Sequence, residues 1–178
     1  APLFHPALKT VAPLRKGLGL RTFFNVLGPL VNPVKPQFSL IGVYNLEIAR
    51  LYQYLLQKQK NNFMLVHGLD GYDEISLTSD TKIFDKMGEN IFSAEELGFK
   101  NIEIESISGG KTKAESAEIF LQILEGKGSF EQNAVVLSNA AKALENTEKC
   151  GNYENCLAMA IESLESGNAL KSLKLLIE

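Results

Sequence analysis

No Lys- or Arg-rich run or stripe occurs in this sequence. Its 18 basic and 21 acidic residues leave a formal charge of -3. A phosphate backbone would find no matching surface on such a chain, so nucleic acid is not an expected partner. Long apolar runs are missing too, every one falling well short of the roughly 20 residues that cross a bilayer. The N-terminus does not show the basic-then-apolar order of a signal peptide, and the expectation is a soluble, cytoplasmic protein with no membrane contact. Cysteine is scarce. Cys150 and Cys156 sit in CGNYENC with no nearby His or second Cys pair, which leaves a zinc site without ligands and a disulfide framework without members. They read as ordinary reduced thiols. The sequence has no internal repeat and no low-complexity tract. It opens on APLFHP rather than on Met, which raises the expectation that residues acting upstream are missing.

What is present suits a folded core. The chain has 178 residues, 45% of them apolar, enough for one full domain or a large part of one. All six prolines fall in the first 37 residues, where short apolar pieces suggest brief helices joined by tight turns. Pro6 suits the first position of a helix continued by Leu8, Val11 and Ala12, and Pro13 should interrupt it. From Phe38 the period changes. FSLIGVY (38–44) reads as a strand. LEIARLYQYLLQKQK (46–60) reads as a helix with Leu46, Ala49, Leu51 or Tyr52, and Leu55 or Leu56 on one face. NNFMLVHG (61–68) reads as a second, buried strand, and the unit predicts two parallel strands with a right-handed crossover. KIFDKM (82–87) reads as an edge strand. Helices are predicted over 114–126, with Ala117, Phe120, Leu121 and Leu124 inward, then over 131–145, over 153–167, and from Ala169 onward.

The stretch HGLDGYDEIS (67–76) places Asp70, Asp73 and Glu74 in the loop leaving the second strand. Ligands in open α/β sheets bind beyond the carboxyl ends of parallel strands. A hard cation such as Mg²⁺ takes one or two carboxylates together with waters and phosphate oxygens, and this loop can supply the carboxylates. The plainer reading is a solvated turn, because DG and DE pairs are common in turns.

The string FHPALKTVAPLRKGLGLRTFFNVLGPLVNP (4–33) separates these readings. It closely resembles the anthranilate phosphoribosyltransferase family in His5, Pro6, Lys9, Pro13, Arg15, Leu18, Gly19, Arg21, Thr22, Phe24, Asn25, Leu27, Gly28, Pro29, Leu30, Asn32 and Pro33. HGLDGYDEIS resembles the family's VHG.DGLDE.S stretch, with Tyr72 in place of the usual Leu. SGGKTKAESA (108–117) is a weaker match, with Lys111 where the family has an acid and Ser116 where it has Asn, and no role is carried onto it.

The resemblance implies an α/β domain of the nucleoside phosphorylase and phosphoribosyltransferase type with part of a small helical domain, residues 1–37 belonging to the helical segment and hinge and 38–178 to the α/β domain. It implies transfer of a phosphoribosyl group from phosphoribosyl pyrophosphate to the amine of anthranilate, with Mg²⁺, in tryptophan biosynthesis, by a homodimer when the protein is complete. Asp73 and Glu74 match the family's metal pair, with Asp70 a helper on weaker grounds. Arg15 matches the residue that contacts anthranilate, an assignment that suits a guanidinium because its planar fork donates two parallel bonds to a carboxylate. Without the resemblance Arg15 reads as a solvated helix residue. Pro2 is assigned to the same aromatic pocket. His5 reads as capping or packing at a helix start and His67 as fixing a strand end, ahead of a general-base role for either; Asn25 and Asn32 read as structural, and Arg21 and Lys9 as solvated or helix-terminal residues ahead of phosphate ligands. The family's GTGGD and KHGN motifs, which cradle phosphoribosyl pyrophosphate, do not occur in this sequence, so the chain by itself is expected to be inactive. The alternatives are a pyrimidine nucleoside phosphorylase-like enzyme and a non-catalytic interaction fragment.

Overall fold

The computed structural model describes Gly17 and residues 26–177. Pro2, His5, Lys9, Arg15, Arg21 and Asn25, and the helix expected after Pro6, lie outside the described residues.

A 3₁₀ turn at Pro29–Val31 leads into β1 (Phe38–Gly42), followed by α1 (Leu46–Leu56), β2 (Asn62–Gly68), β3 (Thr81–Phe84) and β4 (Glu89–Phe92). After a second 3₁₀ turn, Ile104–Ile107, the chain is helical in α2 (Lys113–Leu124), α3 (Phe130–Glu145), α4 (Tyr153–Glu165) and α5 (Asn168–Ile177). The sheet runs β1-β2-β3-β4. β1 and β2 are parallel, as the β-helix-β pattern requires, while β3 and β4 are antiparallel to their neighbours.

Local chemistry sets the boundaries. Asn45 caps α1 by accepting from the Ile48 amide at 2.9 Å, satisfying a donor that the helix start leaves orphaned. The helix stops at Leu56, four residues before the expected end, with Gln57 as its C-cap. Its inner face is Ala49, Tyr52 and Leu56, while Leu51 and Leu55 face solvent. The Tyr52 hydroxyl donates to the Val26 carbonyl, anchoring the segment ahead of β1. Thr112 with Glu115 and Ser129 with Gln132 form capping boxes at α2 and α3.

β2 is buried from Phe63 to Gly68, as a strand covered on both faces must be. Side-chain alternation divides it between two cores. Phe63 and Leu65 join Ile41, Val43, Ala49, Tyr52, Leu56 and Phe84 on the α1 face. Met64 and Val66 join Ile75, Leu77, Ile83, Ala94, Leu97 and Ala134 on the other. Each large side chain removed from water this way contributes about 1.5–3 kcal/mol.

Three expectations need correction. β3 is an interior strand, because Asp85 Oδ1 accepts from the amides of Met87 at 2.7 Å and Gly88 at 3.1 Å and turns the chain into β4. The edge is therefore ENIF, a run too short to stand out. Helix α2 does not turn Ala117, Phe120 and Leu121 inward. It buries Ile123, packs against α5 rather than on the sheet, and leaves Phe120 49% and Leu121 43% exposed. Helical spacing tells which residues share a face, but a neighbour must exist to cover it. The cysteines are not separate thiols. Gly151, at φ 85°, folds the chain so that Cys150 and Cys156 pair as a disulfide with their Cα atoms 5.3 Å apart, within the range such a bond needs.

Lys142 on α3 shows how the second core tolerates a charge. Its side chain is buried, its Nζ lies 2.8 Å from Glu145, and it sits 4.1 Å and 4.7 Å from the ring centres of Phe92 and Tyr153. The Tyr153 hydroxyl donates to the Leu97 carbonyl at 3.1 Å. Burial, aided by the charges of Glu145 and Glu154, pushes that hydroxyl well above the usual tyrosine range. Replacing Lys142 with Met keeps the apolar stem but loses the ring contacts and leaves Glu145 unpaired. The expected cost in a urea unfolding experiment is about 1–2 kcal/mol.

Candidate functional site

The acidic loop leaves the carboxyl end of β2, beside the carboxyl end of the parallel β1, at residues 69–80. Two clefts of about 340 and 580 Å³ lie elsewhere, around Asn62 and Phe63 at the amino end of β2, and neither is lined by Asp73 or Glu74.

His67 is buried at the start of this region, with Nδ1 2.8 Å from the Val43 carbonyl. A carbonyl only accepts, so Nδ1 carries the proton and the ring ties β2 to the segment after β1. The next residues close on themselves. Gly68 donates to the Tyr72 carbonyl at 2.8 Å and Gly71 to the Gly68 carbonyl at 2.9 Å. Gly71 adopts φ 101°, where other residues are strained.

Asp70 is consumed by the loop. Its Oδ2 accepts from Thr78 Oγ1, and from Ser76 Oγ at 3.3 Å, while its amide donates to Ser79 Oγ at 3.1 Å. Partial burial pushes its carboxyl up, but the bonds from Thr78, Ser79 and Ser76 outweigh that and hold it below the usual aspartate value. Ser76 and Leu77 are buried behind it, and Leu77 holds φ 59° with its carbonyl bonded to the Ile102 amide at 3.0 Å. A left-handed leucine costs about 1–2 kcal/mol, which burial and this bond offset.

Asp73 and Glu74 instead face solvent. Burial raises the Glu74 carboxyl above its ordinary value, and the adjacent Asp73 charge raises it further. Adjacent carboxylates form a hard, anionic oxygen pair, a donor set that suits Mg²⁺ completed by water and phosphate oxygens. Among the described residues no third His, Cys, Asp or Glu joins them. Asp73 and Glu74, consecutive in the chain, are both exposed on this loop; Arg15 and Pro2 lie outside the described residues.

The Glu74 shift has a testable sign. The folded protein holds this proton more tightly than the unfolded chain, so Glu74 subtracts from stability once the pH exceeds its raised value. The penalty disappears as the pH falls below the ordinary glutamate value. In an NMR titration the Glu74 side-chain resonance should change at a higher pH than that of a solvated glutamate.

Two residues of this site were not singled out from the sequence. Gly42 ends β1, and a methyl group there would lie 1.8 Å from the Asp73 carbonyl oxygen. A glycine inside FSLIGVY was the available signal, since isolated glycine in a strand marks close backbone approach. Asn139 on α3 reaches Ile75, and no pattern in the sequence marks it.

The description "Glycosyl transferase family, a/b domain" matches residues 1–170. The chain belongs to this glycosyl transferase family. Its similar relatives in the family include the anthranilate phosphoribosyltransferase of Flavobacterium johnsoniae, 52% identical over 178 residues, 100% of this chain and 54% of that protein. The protein of the same name from Bacteroides thetaiotaomicron is 51% identical with the same coverage. The chain spans about half the length of the curated relatives it matches. In three dimensions it is similar to the anthranilate phosphoribosyltransferase of Saccharomyces cerevisiae in complex with PRPP and Mg, with TM-score 0.85 and 28% identity over 97% of this chain and 50% of that one. The Thermus thermophilus enzyme gives TM-score 0.84 and 30% identity over 96% and 51%. The α/β architecture and the sequence resemblance therefore stand as expected. No helix among the described residues is long and apolar enough to cross a membrane.

Proposed function

We propose that the chain supplies the metal-binding acids and the anthranilate contact of an anthranilate phosphoribosyltransferase, acting with Mg²⁺ in tryptophan biosynthesis. The observation that carries this reading is the pair Asp73 and Glu74, presented beyond the carboxyl ends of parallel strands in a chain about half identical to relatives of that name.

The reaction breaks the bond between the anomeric carbon of phosphoribosyl pyrophosphate and a pyrophosphate oxygen, and forms a carbon-nitrogen bond to the anthranilate amine, which gives up a proton. Positive charge gathers on the sugar and negative charge on the departing pyrophosphate. Bound Mg²⁺ would neutralise the latter. Asp73 and Glu74 would hold the ion, and Asp70 shapes the turn that carries them. Arg15 grips the anthranilate carboxylate with two parallel hydrogen bonds, Pro2 lines the same pocket, and positioning does much of the rest. No covalent nucleophile is required. The domain division falls at residue 37, and the complete protein is a cytoplasmic homodimer.

A chimera in which this chain replaces the corresponding half of the Flavobacterium johnsoniae relative should release pyrophosphate only when both anthranilate and phosphoribosyl pyrophosphate are present. Phosphate-dependent cleavage of a pyrimidine nucleoside, without anthranilate turnover, would overturn the reading. The purified 178-residue chain, which has no GTGGD or KHGN motif, should show no turnover. In the chimera Arg15→Ala should raise the anthranilate KM about 10-fold or more, the value of a charge-assisted hydrogen bond, with little change for phosphoribosyl pyrophosphate. The reverse pattern would show that Arg15 serves the other substrate.

A further inference from the structure

We infer that Asn139 is the positioning residue of the acidic loop, clasping the backbone of Ile75 and so fixing the direction in which Asp73 and Glu74 leave it. The inference rests on the reading of Asp73 and Glu74 as metal ligands.

Asn139 Oδ1 accepts from the Ile75 amide at 3.0 Å, and Nδ2 donates to the Ile75 carbonyl at 2.8 Å. Nδ2 also donates to the Val135 carbonyl one turn back, at 2.9 Å. An asparagine amide offers one accepting oxygen and two donor hydrogens. Both donors and the acceptor are therefore committed, and the ring of bonds to Ile75 imitates a strand pairing supplied by a single side chain. Ile75 is fully buried and directly follows Glu74, so once its backbone is fixed the two preceding residues have little freedom. The loop is otherwise held by the Asp70 turn at its start and by the close approach of Gly42 to the Asp73 carbonyl. Asn139 is the link that ties the residue after Glu74 to a helix. Helix chemistry does not ask for this residue: asparagine in a helix interior costs up to about 0.7 kcal/mol relative to alanine. A half-buried amide that satisfies both backbone groups of a loop residue accounts for its place.

Outer-shell partners of metal ligands typically change metal affinity by about 10–100-fold when removed. The test uses the 178-residue chain, Mn²⁺ as the probe counted by its free-ion EPR signal, and amide hydrogen exchange at Ile75. Asn139→Leu preserves bulk and removes both bonds to Ile75. Asn146→Ala is the control, because Asn146 at the end of the same helix donates to the Ser39 carbonyl of β1 at 3.1 Å, a comparable tether far from the acids. Well below either melting temperature, Asn139→Leu should weaken Mn²⁺ binding at least 10-fold and speed Ile75 exchange, while Asn146→Ala leaves the affinity within about twofold. A merely structural role would lower both melting temperatures and leave both affinities alike, which would overturn the inference. Should Asn139→Leu fail to fold, Asn139→Gln, which displaces the same amide by one methylene, is read in the same way. Mn²⁺ binding that survives D73N/E74Q undiminished would instead remove the metal reading. The clasp is then decided by Ile75 exchange alone, a clear rise in Asn139→Leu supporting it and no change overturning it.

Discussion

Changing Asp73 to Asn and Glu74 to Gln together, in the chimera with the Flavobacterium johnsoniae relative, should lower the Mg²⁺-dependent rate by about 10²–10³-fold, the equivalent of several kcal/mol of charge stabilisation. The substitutions keep size and shape while removing two negative charges from a site whose ligand wants hard, anionic oxygen. The fold should survive, because both side chains face solvent and neither makes a bond on which the loop depends. Stability at neutral pH should stay level or rise slightly. Partial burial, aided by the adjacent Asp73 charge, raises the Glu74 carboxyl; this is a folded-state penalty above that group's titration, and the double variant removes it. The measurement is rate against Mg²⁺ concentration, with a melting curve beside it. An unchanged metal requirement would remove the assignment of these residues.

Gly42→Ala should be as damaging by another route. The added methyl would lie 1.8 Å from the Asp73 carbonyl oxygen, 2.9 Å from its carbon and 3.1 Å from its Cβ. Those are chiefly backbone atoms, which cannot turn aside as a side-chain tip could. Gly42 is held in register opposite Val66, so the strand cannot yield without breaking its ladder. The loop must lift away instead. The expected loss is about 3 kcal/mol in urea unfolding, the upper part of the range for overpacking, with a fall in Mn²⁺ affinity of the same order as that for Asn139→Leu. Leu40→Ala, on the same strand at an exposed position, should cost far less and leave the metal affinity alone. A Gly42→Ala variant as stable as the parent would mean that the Asp73 carbonyl does not rest on this glycine.

Much of the architecture was legible because it follows from short-range pattern. FSLIG and NFMLVHG are β-prone, and the helix between them is long enough to make a crossover, so the parallel pair was predictable. The acids of HGLDGYDEIS then had to leave a carboxyl end. The errors have one physical character. Whether KIF is an edge strand, whether Phe120 is covered, and whether Cys150 meets Cys156 depend on neighbours that local spacing does not contain. ENIF pairs because Asp85 turns the chain, and the cysteines meet because Gly151 folds it back.

The sequence by itself determined the order of elements, the family pattern over residues 4–33, and the residue types able to hold Mg²⁺ or grip a carboxylate. Only the tertiary structure decided which acids are tied into the loop and which face solvent. Asp70, identical in charge to its neighbours and three residues away from Asp73, spends one carboxylate oxygen, Oδ2, on the hydroxyls of Ser76 and Thr78. Asp73 and Glu74 are left outward by a glycine on another strand and an asparagine 64 residues further along from Ile75. Hydrogen bonds and close contacts act over a few ångströms in space, whatever the separation along the chain, so a carboxylate's availability is settled by what folding brings beside it.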